Sequence, residues 1–129
     1  MQIGSISENK NIEKRVAITP DIVKKYKSLG IDVCLNKDYG NHLGFSDEAY
    51  KLEGVEIYEN DKEVISKSSL LLQLNIFDDE KLKLLNQYQT LIGILNAHSN
   101  QEKLKALSEK KINCFSLELL PRITRAQSM

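Results

Sequence analysis

The sequence predicts a three-layer α/β domain, a mainly parallel sheet with helices on both faces. Three observations predict it. Short apolar runs alternate with amphipathic segments along all 129 residues, the pattern of strands joined by helical crossovers. One run, Leu70-Leu71-Leu72-Gln73-Leu74, is nearly all apolar, as a strand covered on both sides has to be. The runs number five or six, enough for one sheet and one domain at this length.

The elements follow in order. Ile3 to Ile6 reads as the first strand, followed by a polar loop from Ser7 to Arg15 carrying Glu8, Lys10, Glu13, Lys14 and Arg15. Thr19-Pro20-Asp21 then starts a helix. Thr19 can cap free N–H groups, Pro20 at the first helical position loses no bond, and Asp21 suits the positive end of the dipole. This helix runs to about Leu29 with Ile22, Val23, Tyr26 and Leu29 on one side, and Gly30 stops it. Ile31 to Leu35 is the second strand and Tyr39 to Gly44 a polar loop. Ser46-Asp47-Glu48 opens a short helix that ends before Gly54; Val55 to Tyr58 is a strand, and Asn60 caps a helix reaching Ser66. Leu70 to Leu74 is the central strand, Asp78 to Leu85 a helix, and Thr90 to Leu95 the next strand. Gln101 to Lys110 is helical with Leu104 and Leu107 facing inward, and Ile112 to Leu117 is the last strand. Such an arrangement is Rossmann-like or flavodoxin-like.

Composition narrows the function classes. Eighteen basic residues balance eighteen acidic ones, with no Trp and three Phe, so the footprint of a nucleic-acid binder is missing. The start, Met1-Gln2-Ile3-Gly4-Ser5, lacks a signal peptide's charged and apolar regions. Apolar stretches run to about five residues, far short of the ~20 that span a bilayer. The domain is read as soluble. Cys34 and Cys114 sit in strand-like runs without a CxxC partner and read as two buried free thiols. His42 and His98 have no ligand-like spacing and read as loop histidines; no metal site is expected.

Glycine placement excludes more. A dinucleotide fold needs G-x-G-x-x-G between a strand and a helix, and Gly4, Gly30, Gly40, Gly44, Gly54 and Gly93 do not make that spacing. The Ser7–Arg15 loop lies where α/β sheets place ligands. Arg15 there has two readings: a planar guanidinium for a carboxylate, or a structural ion pair in a solvated loop. The closing stretch Pro121-Arg122-Ile123-Thr124-Arg125-Ala126-Gln127-Ser128-Met129 likewise reads as a site for phosphate or carboxamide, or as a polar frayed terminus.

Arg15-Val16-Ala17-Ile18-Thr19-Pro20, Gly44-Phe45-Ser46-Asp47 and that closing stretch together resemble the N-terminal domain shared by alanine dehydrogenases and proton-translocating transhydrogenases. The similarity covers essentially the whole chain, and the last motif looks like the transhydrogenase version. In alanine dehydrogenases a pyruvate-binding lysine follows the strand equivalent to Leu70–Leu74; here that position is Asn75. Their catalytic histidine matches Asn96, with His98 two positions displaced. Losing both the cation and the acid/base removes amino-acid dehydrogenation.

The resemblance implies the NAD(H)-binding α subunit of a transhydrogenase. An NADP(H)-binding β subunit and a membrane domain are its implied partners, with hydride exchange coupled to proton translocation. It also implies a homodimer of the soluble α domains, on the cytoplasmic side and peripheral to the inner membrane. By the same resemblance Arg122 contacts NAD(H), Gln127 aligns the nicotinamides, and Ser128 and Met129 belong to the same loop. Arg15 is carried over as a cofactor-side residue, although a transhydrogenase offers it no substrate carboxylate. Residues 1–129 are then the first domain, without the NAD-binding Rossmann domain that follows in the family, and the isolated chain is expected to be inactive. Two other readings stay open: a fragment of an alanine dehydrogenase-like enzyme, and a non-catalytic flavodoxin-like binding module.

Overall fold

A computed structural model describes residues 1–119 except Lys10 and Ile12. Among the described residues six strands form one all-parallel sheet: β1 (Gln2–Ser5), β2 (Asp32–Asn36), β3 (Glu56–Tyr58), β4 (Leu70–Asn75), β5 (Thr90–Ile94) and β6 (Asn113–Ser116). Their order is β3-β2-β1-β4-β5-β6. Five helices connect them: α1 (Pro20–Ser28), α2 (Asp47–Leu52), α3 (Asp61–Lys67), α4 (Asp79–Leu82) and α5 (Gln101–Glu109). This is the doubly wound Rossmann-like order, and its chain reversal falls between β1 and β4.

Strand alternation sorts the core onto two faces. Val33 and Leu35 of β2 join Val23 of α1 and Tyr50 of α2 in one cluster. Cys34, between them, joins Val64 and Ile65 of α3, Leu82 of α4 and Leu107 of α5 in the other. The period of two along a strand is the cause. Above β4, β5 and β6 the first face is thinner. Leu72, Ile92 and Phe115 stand in register there, with Phe115 at 55% exposure.

The helix starts follow their caps. Thr19, Ser46, Asn60 and Asp78 each accept a hydrogen bond from the backbone N–H three residues on, at 3.4, 3.2, 2.9 and 3.0 Å. Four expectations need correction. Leu29 is 73% exposed rather than core-facing, because α1 ends at Ser28 and Gly30 turns the chain away with a φ of 79°. The helix expected to reach Leu85 stops at Leu82. Leu84 and Leu85 continue it as a tighter turn, bonding to Lys81 and Leu82. Tyr39 is no polar loop residue but is buried; its hydroxyl accepts from the N–H groups of Ala17 and Ile18 at 3.1 and 3.3 Å. Cys114 is half-buried, whereas Cys34 is fully buried as expected.

Candidate functional site

The β1–β4 ladder pairs only Ile3 with Leu70 and Gly4 with Leu71. Beyond that the strands part, and Gln73, 3% exposed, fills the gap. Its Oε1 accepts from the Ile6 N–H at 2.8 Å and the Ser5 hydroxyl at 3.1 Å. Its Nε2 donates to the Ile6 carbonyl at 3.1 Å and to Glu8 at 2.7 Å. The side-chain amide thus bonds to the Ile6 peptide as a neighbouring strand would. On the other side Asn36, at the end of β2, accepts from the Ser7 N–H at 2.8 Å and donates to the Ser7 hydroxyl at 2.9 Å.

These bonds aim the loop after β1 across the mouth of a cleft of about 570 Å³. The Glu8 carboxylate crosses to β4 and accepts from the N–H groups of Leu74 and Asn75 at 3.0 and 3.3 Å. Asn75 Nδ2 lies 3.5 Å from Glu8 and 3.2 Å from Glu13, so one neutral amide bridges two carboxylates. Burial pushes the Glu8 carboxyl up from its usual range, and the N–H donors of Leu74 and Asn75 oppose that rise. Hydrogen bonds from Arg15 hold Glu13 down at about 2.

The cleft also presents Asp61, Asp78, Lys81 and Lys103. Both lysines are engaged, Lys81 with Asp61 at 3.1 Å and Lys103 with Asp79 at 3.5 Å. Among the described residues no group of His, Cys, Asp and Glu is arranged to hold a metal ion.

The structure places the predicted residues unequally. Arg15 forms the ion pair of the second reading: its Nε and Nη2 donate to the two Glu13 oxygens at 3.0 and 2.9 Å, with 70% of the side chain exposed. Asn96 is exposed in the turn after β5 with a φ of 50°. His42 and His98 are both exposed, and His42 bonds to the Lys14 carbonyl at 2.7 Å. Arg122, Gln127, Ser128 and Met129 lie outside the described residues.

Sequence reasoning does not single out Gln73, Glu8, Asn36 or Glu118. Glu118 follows β6 and accepts from the N–H groups of Leu95 and Ala97 at the end of β5. For Gln73 the available signal is a lone polar residue within an apolar strand.

A family described as alanine dehydrogenase/PNT, N-terminal domain, matches residues 4–129. The chain belongs to this family. Among its relatives, an NAD(P) transhydrogenase subunit alpha protein of Rickettsia prowazekii is 33% identical, covering 100% of this chain and 35% of its own length. An alanine dehydrogenase from Methanococcus maripaludis is 31% identical over 98% of this chain and 34% of its own length. The solved transhydrogenase from Sinorhizobium meliloti superimposes with a TM-score of 0.90 at 28% identity, over 100% of this chain and 38% of that one. The chain therefore spans about a third of the length of these family members. Among the described residues no helix is long and apolar enough to cross a membrane.

Proposed function

We propose that this chain is the first domain of the α subunit of a proton-translocating NAD(P) transhydrogenase. In this reading the subunit binds NAD(H), a following Rossmann domain supplies the glycine fingerprint, and a partner subunit binds NADP(H). The soluble α domains form a homodimer held at the inner membrane through their partners. Arg122 contacts NAD(H), Gln127 aligns the rings, and Ser128 and Met129 complete the loop. Arg15, paired with Glu13 at the cleft, serves that loop's side of the site rather than a substrate carboxylate.

The observation that carries the reading is Asn75. It stands at the cleft between Glu8 and Glu13 as a neutral amide. A substrate carboxylate meets two carboxylates there and no cation from β4, which disfavours amino-acid oxidation. Hydride transfer between two nicotinamides needs no proton donor from the protein. It needs close, aligned rings and exclusion of water. The match, over the whole of this chain, to a relative named as a transhydrogenase α subunit supports the same reading. The match to an alanine dehydrogenase supports the alternative.

Two assays decide between them. The complete protein should exchange hydride between NADH and an NADP analogue and should not oxidise alanine; the reverse pattern would establish the alternative. In that protein, Gln127→Ala should slow transfer more than it weakens NADH binding, and equal losses would remove its aligning role. The 129 residues alone should not bind NADH below millimolar concentration, because this chain lacks the glycine fingerprint. Micromolar binding would identify a self-sufficient nucleotide module instead.

A further inference from the structure

Two consecutive backbone N–H groups, those of Leu74 and Asn75, reach the same carboxylate, that of Glu8. A regular strand does not allow this, because its successive N–H groups point to opposite edges. The register between β4 and β5 shifts between Leu72 and Asn75. Such an irregularity turns two neighbouring amides the same way, as bulges beside functional sites do. Successive N–H groups gathered on one side form an anion-binding concavity. Side chains complete it here. The Nε2 of Gln73, a residue 3% exposed, donates to Glu8 Oε2 at 2.7 Å, where the Leu74 N–H also donates at 3.0 Å. The Asn75 N–H and its Nδ2 lie 3.3 and 3.5 Å from Oε1. A carboxylate offers about four acceptor positions, and Gln73, Leu74 and Asn75 supply a donor for each.

The donors all belong to the last stretch of β4. The carboxylate comes from the loop after β1, between 65 and 67 residues earlier. Glu8, Gln73 and Asn75 line the cleft at the strand-order reversal, the place where α/β sheets take ligands. We infer that the end of β4 is a carboxylate-binding site and that Glu8 is the ligand the chain keeps in it. A free carboxylate enters only where the Glu8 side chain is gone. The class of ligand is a small monocarboxylate. Glu13 has an oxygen 3.2 Å from the same Asn75 Nδ2, so a second negative charge is repelled there. Arg15 is paired with Glu13 and does not reach Glu8. The site stands whichever nucleotide the whole protein uses.

The test titrates the 129-residue chain with acetate at neutral pH, with chloride keeping the ionic strength constant. The amide signals of Leu74 and Asn75 and the melting temperature are followed. Acetate replaces what Glu8→Ala removes, the carboxylate and its methylene. Glu8→Ala should lower the melting temperature. Acetate should restore most of the loss with a Kd on the order of 10 mM, as a ligand of so few atoms allows. It should also move the Leu74 and Asn75 signals toward their positions in the unmutated chain. Malonate should bind this variant about tenfold more weakly than acetate. The unmutated chain and Glu8→Gln, whose side chains keep the space filled, should show no saturable response. If Glu8→Ala is unfolded in chloride, acetate should bring the fold back. Acetate without effect on Glu8→Ala, folded or not, would overturn the inference. An equal response from Glu8→Gln would do the same, because the anion would then act outside the vacated space. Malonate binding as tightly as acetate would overturn the assignment to monocarboxylates.

Discussion

Gln73 stands in a run of leucines and takes over from the β1–β4 ladder where the two strands part. Its value is positional: the same amide satisfies both the N–H and the carbonyl of Ile6 and steadies Glu8. Replacing it with leucine keeps the volume and strands those groups. Because each buried unpaired group costs about 1–3 kcal/mol, Gln73→Leu should destabilise the chain by about 2–4 kcal/mol in urea unfolding. A loss under about 0.5 kcal/mol would show that water replaces the amide without cost. The polar residue is visible in the sequence, but its partners are not. Ile6 and Glu8 lie 67 and 65 residues away, and no local pattern reports such a separation. Arg15 shows the other side of this limit. Both of its readings were legible, and only the geometry shows the Glu13 pair.

Elements were legible wherever the chemistry is local. Caps and the Gly30 stop account for where α1, α2 and α3 begin and where α1 ends. The early end of α4 was not legible, because its apolar residues stay buried after the helical bonding gives way. Strand β5 contains a position that only glycine suits. A Cβ at Gly93 would lie 2.3 Å from the Gln73 carbonyl oxygen, beside the register shift between Leu72 and Asn75 in β4. Backbone cannot yield as a flexible side chain does. Gly93→Ala should therefore wedge β5 from β4, cost about 1–3 kcal/mol as overpacking does, and shift the amide signals of Gln73 to Asn75. Unchanged signals there would mean the two strands are not in this close contact.

At the scale of the whole molecule, periodicity reads the layers and not the strand order. Which strands neighbour each other depends on crossovers between distant segments, so the reversal at β1 and β4, and the cleft beside it, emerge only in the fold. Acid stability is also a property of the whole. Glu13 and Glu118 sit at about 2 in the folded chain against a usual 4.5. A depressed folded value adds stability above 4.5 that disappears as pH falls toward 2. Glu8 is raised and has the opposite sign, its ionisation opposing folding as pH climbs. The melting temperature should drop between about pH 4.5 and pH 2, and less steeply in Glu118→Gln. Equal slopes would show that Glu118 is not held by its donors. The two faces also differ in time. The fully buried members of the α1–α2 face all fall between Ile3 and Val55, whereas the opposite face needs residues as late as Ile112. During synthesis from the N-terminus, the buried cluster under α1 and α2 can gather before β4 is made. The other waits for β4 to dock against β1, a closure of 67 residues that sets a slower step.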